Sequence, residues 1–439
     1  MTIIPSNEIK QPSLHADTLG FTFVWNNHFL RGIYPSAVEQ AQNYFESGFI
    51  DEVVSKQLFP KTWISDFANE QFGMILEHEM ISPVLYATEW NFEMLKDAAI
   101  MVLDIAQVGW KYGYNMVDCH KLNVLFKENH PIYVDLGSFV PKGKCSTGWS
   151  PYSSYLRSYY YILSLWSDGA SILAKRMMAP GLEFSAQEYY IYKSNFYRCF
   201  PKLVRWRLLM QEGVCRLASW DNVRMENQDK PLWLVKWLID KIKLSPSQRL
   251  NSIRKKVLSK SVRMKSDSVI NALPMQDGLA AIINEHYADC QSVTFINNPN
   301  FDYYPLLLRQ TKVKNIVSVQ EKDLDSNREY ILSRQQGVPI SSVSFRILNN
   351  TVLIRGKYPE YRLNSDLVII PELVVGKGNY GVHNALVFID HCKMFAKKHM
   401  VVFVRQNEEE LFQQLYSKYR MDVFPISSEQ NNLVVVLHI

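Results

Sequence analysis

The sequence has 439 residues, of which 47% are hydrophobic and 21% are charged, so it is long enough for two or three domains that each bury a full core. Its net charge of +5 is too small to indicate a nucleic-acid-binding protein, and no apolar run reaches the about 18 residues that a membrane span requires. The first residues contain no apolar core of signal-peptide length, so we expect a cytoplasmic protein without a transmembrane segment.

The first hundred residues predict a small sheet with helices. Residues 1–16 form a loose lead-in, and two aromatic and β-branched runs then surround Asn26-Asn27, a pattern typical of a β-hairpin. The segment SAVEQAQNYFESGFIDEVVSKQ has a helical apolar period, whereas KTWISDF and GMILEHEM indicate strands. A long helix, EWNFEMLKDAAIMVLDIAQVGWKYG, is predicted to end at Gly113.

The segment from Tyr114 to Phe139 carries the residues that indicate chemistry. Asp118 is followed five residues later by Asn123, and Asp135 opens the sequence Asp-Leu-Gly. Between them, VLF and PIYVD are predicted strands separated by the polar turn KENH, so a loop, a hairpin and a second loop bring these side chains to one edge. Phosphoryl transfer requires this set, because one carboxylate deprotonates the acceptor hydroxyl while a carboxamide and another carboxylate hold magnesium.

These motifs resemble a known family. The pattern D-x-H-x-x-N, a hydrophobic hairpin and D-x-G is similar to the catalytic and metal loops of the protein-kinase-like fold, in its aminoglycoside-phosphotransferase-like branch. More narrowly, residues 17–139 resemble bacterial proteins, some of them nodulation-protein-like, that join a kinase-like domain to a methyltransferase-like one. The resemblance implies that Asp118 is the catalytic base, that Asn123 and Asp135 bind Mg²⁺, and that ATP is the phosphate donor.

The small lobe departs from the kinase pattern at the nucleotide. No G-x-G-x-x-G precedes it and no Val-Ala-Ile-Lys is present, so Arg31 is the nearest equivalent of the lysine and would contact phosphate. Glu39 and Glu46 in the following helix are its candidate partners, and we count Arg31 and Glu46 as nucleotide-binding residues. An arginine can pair with phosphate oxygens, but its planar fork differs from the point charge of a lysine.

Residues 151–275 predict helices and then a basic segment. The aromatic helices up to about residue 245 are expected to form the core of a second lobe, since aromatic stripes at helical spacing are more often core than a glycan platform. Residues 246–275 are polar and basic, with six Lys and Arg between Arg254 and Lys265. We interpret them as a solvated linker helix, and contact with an anionic membrane surface is the alternative.

Residues 276–439 alternate strand-like and helix-like segments, which predicts a doubly wound α/β domain. The closing strand pair resembles a Rossmann-like methyltransferase sheet, which implies S-adenosylmethionine as the cofactor. Glu321, at the end of the second strand, matches the position whose carboxylate would hold the ribose. Asn297 to Asn300 stand where a glycine-rich turn is expected, so no glycine allows close approach of the cofactor. We therefore expect a degenerate methyltransferase-like domain.

The expected fold class is an α+β bilobal kinase-like domain followed by an α/β Rossmann-like domain. The predicted divisions are a lead-in (1–16), a kinase-like domain (17–245, with lobes 17–88 and 89–245), a basic linker (246–275) and a methyltransferase-like domain (276–439).

The leading hypothesis is a bacterial enzyme of polysaccharide biosynthesis that phosphorylates a hydroxyl of a sugar, a glycan or a small molecule with Mg-ATP. One alternative is an S-adenosylmethionine-dependent methyltransferase of a surface glycan or its phosphate, and the other is a non-catalytic pseudokinase scaffold. The sequence specifies neither the acceptor nor the oligomeric state, and nucleic acid is not an expected partner.

Overall fold

The computed structural model describes residues 2–10, 17–142, 151–194, 199, 246–262, 276–298, 301–320, 322–344, 364–371, 379–405, 408–425 and 432–439. The chain forms two compact units. The first comprises Met1–Ile81, Leu95–Leu125 and Pro131–Arg263, and the second comprises Ser82–Met94, Phe126–His130 and Met264–Ile439. Among the described residues, no helix combines the length and apolar character needed to cross a membrane.

The ten strands that the structure describes between residues 2 and 141, most of them in the first unit, form one larger sheet and three two-stranded ones. They are β1 (Thr2–Ile3), β2 (Gly20–Trp25), β3 (His28–Ile33), β4 (Thr62–Ile64), β5 (Phe67–Ala68), β6 (Met74–His78), β7 (Tyr114–Met116), β8 (Val124–Lys127), β9 (His130–Tyr133) and β10 (Phe139–Pro141). The larger sheet is antiparallel in the order β2-β3-β6-β4. The predicted hairpin is confirmed, because Asn26 and Asn27 have φ of 45° and 65° and Trp25 pairs with His28, as a two-residue turn requires.

The helices of the first unit follow the predicted periodicity. They are α1 (Val38–Glu46), α2 (Phe49–Ser55), α3 (Phe92–Lys111), α4 (Tyr152–Tyr155), α5 (Tyr161–Ser167), α6 (Ser171–Arg176), α7 (Ala186–Lys193) and α8 (Pro246–Leu258). The first three residues of α3 belong to the second unit. Tyr155, Tyr159 and Tyr161 are almost completely buried, so these members of the aromatic stripe are core, as expected. The helices predicted between residues 201 and 245 lie outside the described residues.

The basic helix α8 differs from the solvated linker that the sequence predicted. Its apolar side chains Leu250, Ile253 and Val257 recur at helical spacing and are buried, and contacts assign the helix to the first unit. Arg254 forms an ion pair with Asp104, and Lys260 donates a 3.2 Å hydrogen bond to Ser164 Oγ. The positive charges of the described part are thus partly engaged by the first unit, while residues 263–275 lie outside the described ranges.

The second unit contains a seven-stranded sheet. Its strands are β11 (Ser292–Ile296), β12 (Asn315–Gln320), β13 (Ile340–Ser344), β14 (Ser365–Ile370), β15 (Ala396–Arg405), β16 (Met421–Pro425) and β17 (Asn432–His438). Their order is β13-β12-β11-β14-β15-β17-β16, and only β17 runs antiparallel to its neighbours. This order confirms the predicted Rossmann-like α/β sheet and its closing strand pair.

Helices and two short segments complete the second unit. The helices are α9 (Gln276–His286), α10 (Tyr303–Gln310), α11 (Asp323–Gln336), α12 (Asn379–Cys392) and α13 (Glu409–Lys418). Alternating strand residues such as Val293, Phe295, Leu367 and Ile369 are buried in one core cluster with residues of α9 and α10. Segments Ser82–Met94 and Phe126–His130, which the sequence assigned to the kinase-like domain, supply further buried side chains to this unit.

Candidate functional site

Short strands hold together the loop after β7, which carries Asp118, and the loop after β9, which carries Asp135. β7 pairs with β10, so Met116 lies opposite Phe139, and Val117 N donates a 2.8 Å hydrogen bond to Ser138 O. Val134 N donates a 2.9 Å hydrogen bond to Asn123 O and thereby joins the end of β9 to the start of β8. These backbone contacts fix the loop after β7 against the loop after β9, as the sequence predicted for a loop, a hairpin and a loop.

Asp118 and Asn123 are in direct contact. Asn123 Nδ2 donates a 3.0 Å hydrogen bond to Asp118 Oδ2, while His120 N donates a 2.9 Å hydrogen bond to Asp118 Oδ1. A carboxylate has about four acceptor positions, so Asp118 keeps capacity to accept further hydrogen bonds. The side-chain nitrogen of Asn123 is directed at Asp118, so the side-chain oxygen Oδ1 lies on the other branch of the amide.

The buried side chain of Tyr133 contacts the loop that carries Asp118. Tyr133 Oη donates a 2.9 Å hydrogen bond to Asp118 O. Burial is the largest cause of a raised pKa of Tyr133, and the charges of Asp135 and Asp118 raise it further, whereas hydrogen bonds with Ser138 and Asn123 act in the opposite direction. The Tyr133 hydroxyl thus contacts the backbone of Asp118, and its pKa responds to the charges of Asp135 and Asp118.

Asp135 begins a tight turn. Its Oδ1 accepts a 3.2 Å hydrogen bond from Gly137 N, and its Oδ2 accepts a short hydrogen bond from Ser138 Oγ. The side chain is half-buried and has 28% of its surface exposed. The turn orients the carboxylate but leaves it accessible.

Arg31 lies beside this turn, although its partners differ from those predicted. Its Nη1 is 2.5 Å from Asp17 Oδ2 and its Nη2 is 3.6 Å from Asp135 Oδ1. Glu46 is exposed at the end of α1, so the structure corrects its assignment as a partner of Arg31: two carboxylates from other segments already flank the buried guanidinium. Glu39, the other candidate partner, is also exposed.

Asp135 and Asn123 carry side-chain oxygen atoms of the kind that magnesium binds. Mg²⁺ usually binds to one or two carboxylates and retains several water ligands, and Asp135 with the carbonyl oxygen of Asn123 provides such a partial set. Across the described ranges, no three His, Cys, Asp or Glu side chains form a group that could hold a metal ion by themselves.

A second candidate site lies in the second unit, at the edge of the sheet where β11 ends. There β11 is flanked by β12 and β14. Ligands of open α/β sheets bind at the carboxyl ends of the strands where the strand order reverses. Asn297 follows β11 with φ of 51°, so the turn has a left-handed residue although it contains no glycine. The sequence prediction concerned close approach of a cofactor, and the backbone conformation does not test it. Asn297 N donates a 2.8 Å hydrogen bond to Val319 O. Glu321, the predicted ribose ligand, lies outside the described residues.

Behind this edge lies a buried polar network that the sequence analysis missed. Glu329 of α11 accepts hydrogen bonds from Tyr304 Oη (2.6 Å), Ser318 Oγ (2.6 Å), Gln320 Nε2 (2.8 Å) and Ser342 Oγ (3.0 Å). Gln320 Nε2 also donates a 2.9 Å hydrogen bond to Asn298 O, which ties the turn after β11 to the end of β12. The sequence signal for this network is the presence of polar residues, such as Ser318, Gln320 and Ser342, within otherwise apolar buried strands.

No protein-family profile matches the chain, and no curated protein matches it. Similar solved structures include human methyltransferase-like protein 13 in complex with SAH, with 14% identity, coverage of 36% of this chain and 78% of that one, and a TM-score of 0.27. TrmK of M. capricolum in complex with SAH has 15% identity, coverage of 40% and 69%, and a TM-score of 0.27. The O-methyltransferase TomG of Streptomyces achromogenes in complex with SAM has 10% identity, coverage of 39% and 82%, and a TM-score of 0.29. The strand order of the second unit is an observation independent of these likenesses.

Proposed function

We propose that the second unit binds S-adenosylmethionine and transfers its methyl group, with a surface glycan or its phosphate as the expected acceptor class. The observation that carries this proposal is the strand order, which has a reversal point at β11 and β14 and an antiparallel β17 between β15 and β16. The closing pair of strands, with β17 antiparallel, is the feature on which the resemblance to methyltransferase sheets rests. When bound, the cofactor would supply a methyl group activated by its sulfonium.

The turn after β11 would hold the cofactor through its backbone conformation. Asn297 is half-buried at the reversal point, and asparagine is among the residues that adopt positive φ at low cost. Glu329, through Gln320, fixes the backbone carbonyl of Asn298 next to it. The network thus positions the turn, and we assign it no part in methyl transfer itself.

Calorimetry of the full chain with S-adenosylmethionine tests this proposal. We expect Asn297→Gly to keep the affinity of the wild type, because glycine adopts the same turn. Asn297→Val should weaken binding about tenfold, because a β-branched residue at positive φ costs about 1–2 kcal/mol and displaces the turn. Circular dichroism checks that both variants fold. Absence of binding to the wild-type chain at millimolar cofactor would reject the proposal.

A second candidate function, phosphoryl transfer with Mg-ATP, is favoured by the contact between Asp118 and Asn123 and by the backbone hydrogen bonds that hold their loop against the turn begun by Asp135. In this proposal Asp118 accepts the proton of the acceptor hydroxyl, while Asn123 and Asp135 hold the cation that neutralises the phosphates. The kinase-like description of residues 17–245 is part of this candidate. If the test of phosphoryl transfer shows no nucleotide binding, the pseudokinase alternative replaces this candidate.

Two substitutions in the first unit separate binding from turnover. Asp135→Ala should abolish or strongly weaken Mg-ATP binding, because the triphosphate loses the cation's ligand. Asp118→Asn should leave Mg-ATP binding nearly intact and lower turnover by a factor on the order of 10² or more, the usual share of a positioned base. Binding by calorimetry and ATP consumption are the measurements. Full turnover of Asp118→Asn would show that the base is assigned to the wrong residue, and absence of nucleotide binding by the wild type would leave the pseudokinase.

A further inference from the structure

Arg31 is a buried cation whose hydrogen-bonding capacity is incompletely used. Its relative exposure is 5%, and within the described residues its Nε has no hydrogen-bond partner. Asp17 contacts Nη1 at 2.5 Å, whereas Asp135 is 3.6 Å from Nη2, beyond good hydrogen-bond distance. Asp17 is therefore the only close anionic partner of Arg31 within the described residues.

The position of Asp17 is fixed by its surroundings. Its Oδ1 accepts a 2.8 Å hydrogen bond from Leu19 N, so the carboxylate is held at the start of β2. A Cβ atom on Gly137 would clash with the same carboxylate. Glycine at position 137 thus leaves space for the Asp17 carboxylate next to the turn that Asp135 begins.

We propose that Asp17 occupies, on Arg31, the place that an oxygen of a bound phosphate group would take, so that Asp17 sets the affinity of this site for phosphate. This inference rests on the second candidate function and identifies its anion site. A carboxylate and a phosphate present similar acceptor oxygens to a guanidinium, and both are attracted to the same N–H donors.

The charges explain why Asp17 would reduce phosphate affinity. A buried guanidinium requires an anionic partner, and in the present arrangement Asp17 satisfies that requirement. An incoming phosphate must displace Asp17 or share Arg31 with it, and the second option places like charges together. Loss of the Asp17 charge would leave the buried Arg31 guanidinium without its close anionic partner. Binding of an anion from solution would then become more favourable.

The test uses the full chain, inorganic pyrophosphate as the probe, and no magnesium or nucleotide. Asp17→Asn keeps the shape and the acceptor for Leu19 N but removes the charge, so we expect a lower melting temperature that millimolar pyrophosphate restores. Pyrophosphate should bind this variant about tenfold or more tightly than it binds the wild type. Orthophosphate in a parallel titration distinguishes a site for one phosphate group from a site for a diphosphate.

The matched control is the double variant Asp17→Leu/Arg31→Met, which replaces the pair by apolar side chains and should fold without responding to pyrophosphate. If Asp17→Asn does not fold alone, recovery of its circular dichroism on adding pyrophosphate supports the inference, and no recovery overturns it. Equal protection of the wild type and Asp17→Asn would also overturn it. Pyrophosphate binding without any ATP turnover would reject phosphoryl transfer but keep the anion site, whereas turnover without an affinity gain in Asp17→Asn would reject this inference alone.

Discussion

Residues 264–439 expressed alone are expected to give no cooperative thermal transition, because the second unit also needs Ser82–Met94 and Phe126–His130. Trp90, Phe92 and Phe126 of these segments have relative exposures of 0%, 1% and 1%. The Trp90 and Phe126 ring centroids are 5.1 Å apart, and Phe126 lies 6.2 Å from Tyr330 of α11. Removal of a buried aromatic side chain typically costs about 3–5 kcal/mol, and a whole domain is stable by only about 5–15 kcal/mol.

Polar contacts add to the same effect. Asn91 Nδ2 donates a 3.0 Å hydrogen bond to Ser326 Oγ, and Glu93 N donates a 2.8 Å hydrogen bond to Asn327 Oδ1. Asn129 Nδ2 donates a 3.1 Å hydrogen bond to Ser333 Oγ, and Tyr330 Oη donates a 3.0 Å hydrogen bond to Asn129 O. One face of α11 is therefore complementary to the two short segments in both shape and hydrogen bonding.

A pair of tryptophan variants in the full chain provides the matched comparison. Trp90→Ala should increase hydrogen exchange in β11, β12 and α11, because it removes a side chain buried in the second unit. Trp63→Ala, at a position that is 43% exposed in the first unit, should leave that exchange unchanged. A fragment 264–439 that melts cooperatively near the temperature of the full chain would contradict the prediction.

The sequence predicted elements better than it predicted the composition of the units. Strands such as Ser292–Ile296 and Asn315–Gln320 are short apolar runs bounded by polar turns, and Asn26-Asn27 specifies its hairpin locally. The allocation of Ser82–Met94 to the second unit is different, because it depends on contacts such as that of Asn91 with Ser326, 235 residues away. No local pattern encodes a contact of that kind.

The candidate site in the first unit likewise contains residues that the sequence predicted and a contact that it did not predict. Asp118, Asn123 and Asp135 could be proposed from motif spacing, since a hairpin brings its two flanking loops together. The partner of Arg31 could not be predicted in this way, because Asp17 reaches it from the start of the neighbouring strand, whereas the sequence suggested Glu39 and Glu46 of the following helix. The ion pair of Asp17 with Arg31 depends on the pairing of β2 with β3, which the local sequence around either residue does not specify.

Glu329→Ala is expected to destabilise the second unit by several kcal/mol, because it removes the acceptor of four hydrogen bonds inside the fold. Each buried donor left without a partner costs roughly 1–3 kcal/mol, although the hydroxyls of Tyr304, Ser318 and Ser342 can partly rearrange. Glu285→Ala is the matched control, since the Glu285 side chain is 76% exposed. An equal effect of the two substitutions would show that the network contributes nothing to stability.

The charge state of Glu329 predicts an unusual dependence of stability on pH. Burial is the largest influence and raises the pKa of Glu329 from 4.5 to about 7, although hydrogen bonds from Ser318, Tyr304, Gln320 and Ser342 oppose it. Because the folded state holds this proton more tightly than the unfolded state, the contribution to stability is fully present below about pH 4.5 and is lost as the pH rises to about 7. The slope from this group approaches about 1.4 kcal/mol per pH unit within that window.

Glu329→Gln isolates this contribution, because it keeps the size of the side chain and removes the titration. The measurement is the free energy of unfolding in urea at a series of pH values for the wild type and for the variant. Histidines and other carboxylates titrate equally in both proteins, so the difference between the two curves reports Glu329. We expect that difference to change by an amount on the order of 3 kcal/mol between about pH 4.5 and pH 7, with the wild type losing stability relative to the variant as the pH rises. Parallel curves would mean that Glu329 titrates with the same pKa in the folded and unfolded states, and a change of opposite sign would mean that its four donors outweigh burial.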